Sequence, residues 1–214
     1  MENLNHFFLS INSDKLKVLI VGGGKAGYIK CKSFLTKGAE VKVIALDICE
    51  EILSLKHFEK LSVEKTTYSK KMLMSYHLVV IATNDKILNH NIKMDCDELC
   101  KLYINASNIK ESMCITPTMG ESKSAVFAIH TKRTSPKTSV FIKDNLKSYL
   151  EKYDSYIDFS VNLRNSLKNY DKKNEILNFV STEDFLYIFN KGYGEKIINL
   201  FYGGNKSEDS NKKE

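Results

Sequence analysis

The sequence predicts an α/β protein in which a doubly wound parallel sheet is followed by a small β dimerisation arm and a C-terminal α-helical lobe. Two observations lead to this prediction. Short apolar segments alternate with helical segments as far as Asn105, which is the pattern of parallel strands joined by helices. After Asn105, two strand-like segments follow without a helix between them, and the rest is mostly helical.

The first crossover unit has the clearest pattern in the chain. Lys17–Val21 is an apolar strand, a glycine-rich turn follows, and a helical stretch continues to Lys37, where Gly38 ends it as a C-terminal cap. Glu40–Ala45 is the next strand, so the unit is a parallel βαβ crossover of about 30 residues. The same alternation predicts strands at 62–66, 77–82 and 101–105 and helices at 49–55, 70–75 and 87–99.

The second half of the chain follows another pattern. Residues 115–119 and 124–130 are strand-like, and Pro136 opens a mostly helical region that extends to about Tyr202. The predicted domains are a sheet domain at 1–109, a β arm and dimerisation segment at 110–150, a helical domain at 151–202 and a disordered tail at 203–214.

Composition excludes several classes of protein. With 214 residues, of which 43% are hydrophobic, the chain can bury a core and is neither disordered nor collagen-like. No apolar run approaches the roughly 18 to 20 residues of a membrane helix, and no basic segment precedes the apolar patch at Phe7, so we expect a cytoplasmic protein with no membrane partner. The five cysteines are scattered, which favours reduced thiols, and no His/Cys cluster has the spacing of a metal site.

The positive charge is concentrated in one segment. The formal net charge of the chain is +6, and from Lys123 to Lys152 seven basic residues stand against two acidic ones. This segment is either a solvated lysine-rich surface or a site for an anionic partner. We do not expect nucleic acid to be that partner, because the segment has no aromatic-interleaved or helix-turn-helix signature.

The glycine-rich turn has the spacing of a dinucleotide-binding fingerprint. Gly22 permits the tight turn, Gly24 lets the backbone approach a pyrophosphate, and Gly27 lets the helix pack against the strand. Asp47 follows the second strand, where a carboxylate accepts hydrogen bonds from ribose hydroxyls and repels a 2′-phosphate, although it could equally cap the next helix. The loop with Thr83 and Asn84 should also pass close to the cofactor. Residues 1–109 are therefore predicted to form a Rossmann-like domain that binds NAD.

Three segments, in the same order and at similar spacing, resemble the siroheme synthase N-terminal family. Its members are precorrin-2 dehydrogenases, some of which are also sirohydrochlorin ferrochelatases. Residues 22–30 are similar to the family's opening G-G-G-x-V-A-x-R-K, with Ile29 in place of the arginine. Residues 79–85 together with Asn89 resemble L-V-I-A-A-T-D-D-x-x-x-N, and residues 134–136 resemble the T-S-P that begins the family's dimerisation region.

The resemblance implies NAD-dependent dehydrogenation of precorrin-2 to sirohydrochlorin, in siroheme or cobalamin biosynthesis, by a homodimer. By motif position, the residues that contact the dinucleotide are Gly22, Gly23, Gly24, Lys25, Ala26, Gly27, Leu46 and Asp47. The substrate is a tetrapyrrole with many carboxylates, which fixed cations can steer and hold. The cations predicted to bind it are Lys123, Lys132 and Arg133.

Two departures from the family pattern concern catalysis. Where the family's N-V-V-D ends in an aspartate, this chain has Asn108, and an amide cannot accept a proton as a carboxylate does. Only Glu111 offers a carboxylate nearby. The family's S-S-G-G is replaced by a segment that begins at His130 and ends at Arg133. We therefore expect metal insertion to be absent or weak, and we assign Asn108 and His130 to the catalytic site, His130 as a replacement proton acceptor.

Alternatives remain open at this stage. His130 could be a structural or surface residue at the end of a strand. The loss of the family's aspartate also allows a non-catalytic protein of the same fold, which would bind NAD or a tetrapyrrole without turnover.

Overall fold

The computed structural model describes residues 7–131 and 135–203, and it divides into two compact units between Thr116 and Pro117. The predicted end of the sheet domain, residue 109, lies seven residues before this division. Lys132, Arg133 and the predicted tail from residue 204 onward lie outside the described residues.

The first unit contains a five-stranded, fully parallel sheet with the strand order β3-β2-β1-β4-β5. Its strands are β1 (Lys17–Val21), β2 (Glu40–Ala45), β3 (Leu61–Lys65), β4 (Leu78–Ile81) and β5 (Leu102–Asn105). Its α-helices are α1 (Lys25–Leu35), α2 (Glu50–Leu53) and α3 (Lys86–Glu98). The order reverses between β1 and β4, which is the switch point where such sheets bind ligands beyond the carboxyl ends of their strands.

The central strands are apolar from Val18 to the end of β1 and throughout β4, because helices cover both faces of the sheet. On one face, Val18 and Ile20 pack with Cys31 of α1. On the other face, Leu19 packs with Ile92 of α3. All five side chains are fully buried. This burial on both faces fixes where the ends of β1 and β4 lie, and it therefore positions the loops that follow them.

Two helices of the first unit differ from the sequence prediction. The predicted helix at 49–55 is the single α-helical turn of α2 followed by a 3₁₀ turn at Ser54–His57. The predicted helix at 70–75 is a 3₁₀ helix, Lys70–Ser75. The first of these segments connects β2 to β3, and the second connects β3 to β4.

The second unit joins an antiparallel hairpin to five helices. The hairpin strands are β6 (Thr118–Glu121) and β7 (Val126–Ile129), and they pack on α4 (Pro136–Leu150). The remaining helices are α5 (Asp154–Ser166), α6 (Lys173–Val180), α7 (Glu183–Asn190) and α8 (Gly194–Tyr202). Their core contains four buried side chains, Ile176, Val180, Phe185 and Ile198.

The first hairpin strand begins three residues later than the sequence pattern predicts. Cys114 donates its backbone N–H to the carbonyl oxygen of Tyr103 at 3.1 Å, so the apolar segment around it packs against the end of β5 instead of forming a strand. Within β6, Gly120 pairs with Phe127, whose ring occupies the space that a Cβ at Gly120 would need. The hairpin therefore starts only after Pro117.

An acidic pair on α5 holds the turn of this hairpin. The Asp154 carboxylate accepts hydrogen bonds from Ser122 Oγ (2.7 Å) and from the backbone N–H groups of Lys123 (3.2 Å) and Ser124 (2.9 Å). One helical turn later, Asp158 accepts from Ser124 Oγ at 2.8 Å and from Lys123 Nζ at 2.7 Å. These donors lower the pKa of both carboxyl groups.

Within the described ranges, no helix combines the length and apolar character that a membrane span requires.

Candidate functional site

The turn after β1 requires glycine at its first position. Gly22 has φ of +127°, which side chains rarely adopt, and a Cβ there would lie 2.2 Å from the carbonyl oxygen of Ala82. The Gly22 N–H donates to the carbonyl oxygen of Ile44 at 2.9 Å. The turn is therefore in direct contact with the loop after β4 and with the end of β2.

Gly23 and Gly27 permit two further close approaches. A Cβ at Gly23 would lie 2.1 Å from the carbonyl oxygen of Asp47, and the Gly23 carbonyl accepts a hydrogen bond from the Cys49 N–H at 2.9 Å. A Cβ at Gly27 would lie 2.2 Å from the Gly22 carbonyl oxygen. Gly23 is buried, so its contribution to the predicted cofactor site is to pack the loops, whereas Gly27 lets α1 begin against the turn.

Gly24 faces open space. No atom lies within 4 Å of the position that a Cβ at Gly24 would occupy, and Gly24 is the N-terminal cap residue of α1 with no side-chain cap hydrogen bond. Lys25 and Ala26 are exposed in the first turn of this 11-residue helix. The N–H groups of this first turn have no partner within the helix. The open cradle and the positive end of the helix dipole fit a pyrophosphate group.

The loop after β2 places an exposed carboxylate beside this turn. Asp47 does not cap α2, because the cap position is Cys49, and its side chain has no hydrogen bond with the described residues. The alternative role as a helix cap is therefore excluded, and the carboxylate is accessible to a ligand. Leu46 is 69% exposed next to it.

The loop after β4 is held by Thr83 and the buried Asn89. Thr83 Oγ1 donates to Asn89 Oδ1 at 2.5 Å, and Asn89 Nδ2 donates to the Thr83 carbonyl oxygen at 3.0 Å. Asp85 caps α3 by accepting hydrogen bonds from the N–H groups of Ile87 (2.9 Å) and Leu88 (3.0 Å). Of the residues predicted here, Asn84 is exposed, whereas Thr83 fixes the shape of the loop.

The loop after β5 is organised by Asn105, which is only 3% exposed. Its Oδ1 accepts hydrogen bonds from the backbone N–H groups of Ser107 (3.0 Å) and Asn108 (3.1 Å), and its Nδ2 donates to Glu111 Oε2 at 3.3 Å. Ser107 Oγ also donates to the Thr83 carbonyl oxygen at 3.0 Å, which joins the loops after β4 and β5. The side chain of Asn108 is exposed and makes no hydrogen bond with the described residues.

Lys30 of α1 forms a hydrogen bond with the last residue of the first unit, Thr116. Lys30 Nζ donates to Thr116 Oγ1 at 2.6 Å, and burial lowers the pKa of Lys30, although the neighbouring Cys114 thiol acts in the opposite direction. Burial also raises the pKa of Cys114 to about 11, so this thiol stays protonated at neutral pH. This pair ties α1 to the segment that follows β5.

The other predicted site residues belong to the second unit. His130 is exposed just beyond β7. Lys123 is engaged with Asp158, whose hydrogen bond raises the pKa of the lysine. The structure therefore gives Lys123 a structural partner that sequence reasoning did not foresee. In the part of the chain that the structure describes, no group of three or more His, Cys, Asp and Glu residues could hold a metal ion.

Sequence reasoning did not assign roles to Asn89 and Asn105. Both are buried polar residues, and both hold the backbone of a loop at the carboxyl end of a strand. A signal for each was present, because each is the asparagine of a segment that resembles a family motif. A buried asparagine next to a strand end indicates a loop whose shape is fixed by side-chain hydrogen bonds.

The parallel sheet with its switch point, the glycine turn and the open helix N-terminus define a dinucleotide-binding domain of the Rossmann type. A family model described as "Putative NAD(P)-binding" matches residues 9–118, which is half of the chain. The chain belongs to the siroheme synthase N-terminal family within this NAD(P)-binding class.

Individual relatives support this placement. The chain is 30% identical over 145 residues to the precorrin-2 dehydrogenase of Priestia megaterium, a match that covers 66% of this chain and 70% of the relative. It is 27% identical over 147 residues to the siroheme synthase of Buchnera aphidicola subsp. Acyrthosiphon pisum, which covers 69% of this chain but only 31% of that protein. The chain thus spans about a third of that synthase. A solved structure described as SirC, precorrin-2 dehydrogenase, has the same fold, with a TM-score of 0.67, 24% identity and coverage of 91% of this chain and 100% of that one.

Proposed function

We propose that this protein is an NAD-dependent dehydrogenase that oxidises precorrin-2 to sirohydrochlorin, in siroheme or cobalamin biosynthesis. The observation that supports this most strongly is the open cradle at Gly24 above the unbonded N–H groups of α1, in a chain related to precorrin-2 dehydrogenases. The cradle accounts for the dinucleotide, and the relatives account for the substrate.

The residues of the first unit fit one orientation of NAD, with its adenosine half on the β2 side of the sheet and its nicotinamide half on the β4 and β5 side. Gly24, Lys25 and Ala26 would hold the pyrophosphate, because the N–H groups and the dipole at the start of α1 favour its charge. Asp47, on the β2 side, would accept hydrogen bonds from the adenosine ribose and disfavour a 2′-phosphate. The loops after β4 and β5 would hold the nicotinamide end, and NAD, when bound, would supply the hydride acceptor.

This chain's own residues fix the geometry that hydride removal requires. Thr83 and Asn89 hold the loop after β4, Asn105 holds the loop after β5, and Ser107 links the two loops. Such preorganised loops would hold the substrate carbon against the cofactor, and this proximity lowers the barrier to hydride transfer. Asn108, exposed at this edge, contacts the substrate as a hydrogen-bonding amide.

Three further residues come from the family resemblance alone. Lys132 and Arg133 would bind substrate carboxylates, and His130 would contact the macrocycle. Lys123 is a weaker candidate for binding substrate carboxylates, because its ammonium group already pairs with Asp158 at 2.7 Å.

The protein acts in the cytoplasm as a homodimer, and the second unit provides the dimerisation surface. Two aromatic side chains on α4 are largely exposed, Phe141 at 67% and Tyr149 at 53%. Exposed aromatic side chains of this kind are typical of interfaces between subunits.

A second candidate function is non-catalytic binding of NAD or a tetrapyrrole. The presence of Asn108 where relatives of this family carry an aspartate favours it, because an amide cannot accept a proton. The same residue leaves no base for the pyrrole protons at the position of the family's aspartate, so we expect insertion of a metal ion into the macrocycle to be weak or absent.

The test is an incubation of purified protein with precorrin-2, with and without NAD and with and without Fe²⁺ or Co²⁺. We expect sirohydrochlorin only in mixtures that contain NAD, and no metallated product in excess of a mixture without protein. The precorrin-2 dehydrogenase of Priestia megaterium serves as the positive control. Binding of NAD and precorrin-2 without product, under conditions in which the control is active, supports the non-catalytic alternative and contradicts the dehydrogenase.

A further inference from the structure

Three carboxylates lie at the ligand-binding edge of the sheet, and they differ in whether a substrate could reach them. Asp85 is used as the cap of α3, with two backbone N–H groups on one oxygen. Asp47 lies after β2, on the side assigned to the ribose. Glu111 lies after β5, and its side chain is exposed. Because β1 and β4 separate β2 from β5, three strand spacings, roughly 14 Å, lie between these two strand ends.

Glu111 is held in place by a local network and is not a freely rotating surface residue. Asn105 Nδ2 donates to its Oε2 at 3.3 Å, and the Glu111 N–H donates to the Asn108 carbonyl oxygen at 3.1 Å. Asn105 is itself fixed, because its Oδ1 accepts two backbone N–H groups and its own N–H donates to Ser112 Oγ at 2.8 Å. The carboxylate therefore keeps one oxygen oriented by Asn105 and one available to a ligand.

The position of Glu111 relative to Asn108 matters for the proposed reaction. Both belong to the same short 3₁₀ segment, in which Asn108 is the cap residue and Ile109–Glu111 form the turn. A substrate placed over the end of β5 therefore lies close to both side chains. Asn108 can hydrogen-bond to the substrate but has no basic atom, whereas the Glu111 carboxylate can accept a proton.

We propose that Glu111, oriented by Asn105, is the proton acceptor of the dehydrogenation, in place of His130, the acceptor predicted from the sequence. This rests on the proposed function. The reaction removes one hydride and one proton from the macrocycle. For the proton, the bond to hydrogen breaks, its electron pair stays in the macrocycle as part of the new double bond, and the proton bonds to a carboxylate oxygen of Glu111. The carboxylic acid then returns the proton to water.

The variant that tests this role is Glu111→Gln, which keeps the size of the side chain and its ability to accept the hydrogen bond from Asn105. We expect kcat to fall by roughly 10²- to 10⁴-fold, with KM for precorrin-2 changed by less than about threefold, because a lost general base affects the chemical step. Glu111→Asp should retain part of the activity, since it keeps a carboxylate. The matched control is Glu59→Gln, an exposed glutamate just before β3, at the opposite edge of the sheet, and its kcat should equal that of the wild type.

A measurement without NAD separates contact with the substrate from a merely structural role. Carbon-13 NMR of protein labelled at glutamate carboxyl carbons identifies the Glu111 signal by its absence in Glu111→Gln. Addition of sirohydrochlorin should change the pH midpoint of this signal and leave that of Glu59 unchanged. A Glu111→Gln variant with kcat within about threefold of the wild type, or a Glu111 signal that sirohydrochlorin leaves unchanged, overturns the role of Glu111 alone. A wild-type protein that fails to oxidise precorrin-2 overturns the proposed function and this role with it.

Discussion

Gly22 and Gly24 lie two residues apart, and the structure predicts that alanine at the two positions has opposite consequences. At Gly22, φ is +127° and a Cβ would lie 2.2 Å from the carbonyl oxygen of Ala82. At Gly24, φ is −91° and no atom lies within 4 Å of the added Cβ. Gly22→Ala should therefore damage folding, whereas Gly24→Ala should damage only the binding of NAD.

The magnitudes follow from these geometries. Gly22→Ala places a side chain in a backbone region that costs on the order of 1–3 kcal/mol, and the contact with a backbone oxygen adds to this, so we expect a loss of about 3 kcal/mol in the free energy of unfolding. At Gly24, alanine is a poorer helix cap by roughly 0.5–1 kcal/mol but reduces the entropy of the unfolded chain by about 0.4–1 kcal/mol. The two effects nearly cancel, so the stability of Gly24→Ala should lie within about 0.5 kcal/mol of the wild type.

The affinity for NAD, unlike the stability, should fall strongly in Gly24→Ala. In the proposed NAD site, a methyl group at Gly24 would occupy the open space through which the pyrophosphate reaches the N–H groups of α1. Loss of one hydrogen bond to a charged group costs about 1.5–3 kcal/mol, which corresponds to a roughly 10- to 150-fold weaker affinity for NAD.

Urea unfolding measures the stability of both variants, and titration calorimetry with NAD measures the affinity of Gly24→Ala. The reasoning is refuted if Gly24→Ala binds NAD within about twofold of the wild type, or if Gly22→Ala unfolds at the wild-type urea midpoint.

Three further predictions concern single side chains. Asp47→Ala should weaken NAD binding several-fold and raise the ratio of NADP to NAD affinity by roughly tenfold, because the carboxylate no longer repels the 2′-phosphate; an unchanged ratio in calorimetry contradicts this assignment. Labelling with an aromatic disulfide reagent should modify Cys100, which is exposed, in the native protein, and Cys31 and Cys96 only after unfolding, since burial raises their pKa values to about 11 and about 12. Equal labelling rates for the native thiols contradict this. The pKa of Asp154 is lowered by Ser122 and the hairpin turn, so its contribution to stability is present above its unfolded value near 3.8 and is lost as pH falls through the lower folded value. Asp154→Asn should accordingly lower the urea midpoint at pH 7 and have a smaller effect at about pH 3; an equal effect at both pH values argues against a role for the charge.

The sequence was sufficient to predict the parallel sheet because its signals are local. β1 and β4 are continuous apolar runs, as strands covered on both faces must be, and each lies within a residue or two of its predicted position. The glycine turn was equally readable, since the requirement at Gly22 and Gly27 comes from contacts within one crossover unit and with the adjacent strand.

The hairpin itself was predicted, but its first strand was expected to begin three residues too early, because that start depends on a contact elsewhere in the chain. The apolar character of Ile115 predicts a strand, but the Cys114 N–H is already bonded to Tyr103 of β5. Nothing in the local pattern distinguishes an apolar segment that pairs in a hairpin from one that packs against a preceding strand. The same holds for Lys70–Ser75, where the period of the sequence predicts a helix but does not separate α from 3₁₀.

The sequence predicted which loops carry the candidate site but not the contacts within those loops. Asp47 was predicted from its spacing, and only the structure shows that its side chain does not cap α2. The ion pair between Lys123 and Asp158 joins residues 35 apart in the chain, and it changes the reading of a lysine-rich segment. The bond between Asn105 and Glu111 likewise depends on how the loop after β5 folds back, which residue types alone do not specify.

The most direct test of the central claim is the stoichiometry of a single reaction, in which the protein is mixed with excess precorrin-2 and a limiting, known amount of NAD. Sirohydrochlorin and NADH are then quantified in the same sample by absorbance and chromatography. We expect equal amounts of the two products, both limited by the NAD supplied. Sirohydrochlorin formed without NADH, or neither product in a sample where the Priestia megaterium enzyme forms both, contradicts it.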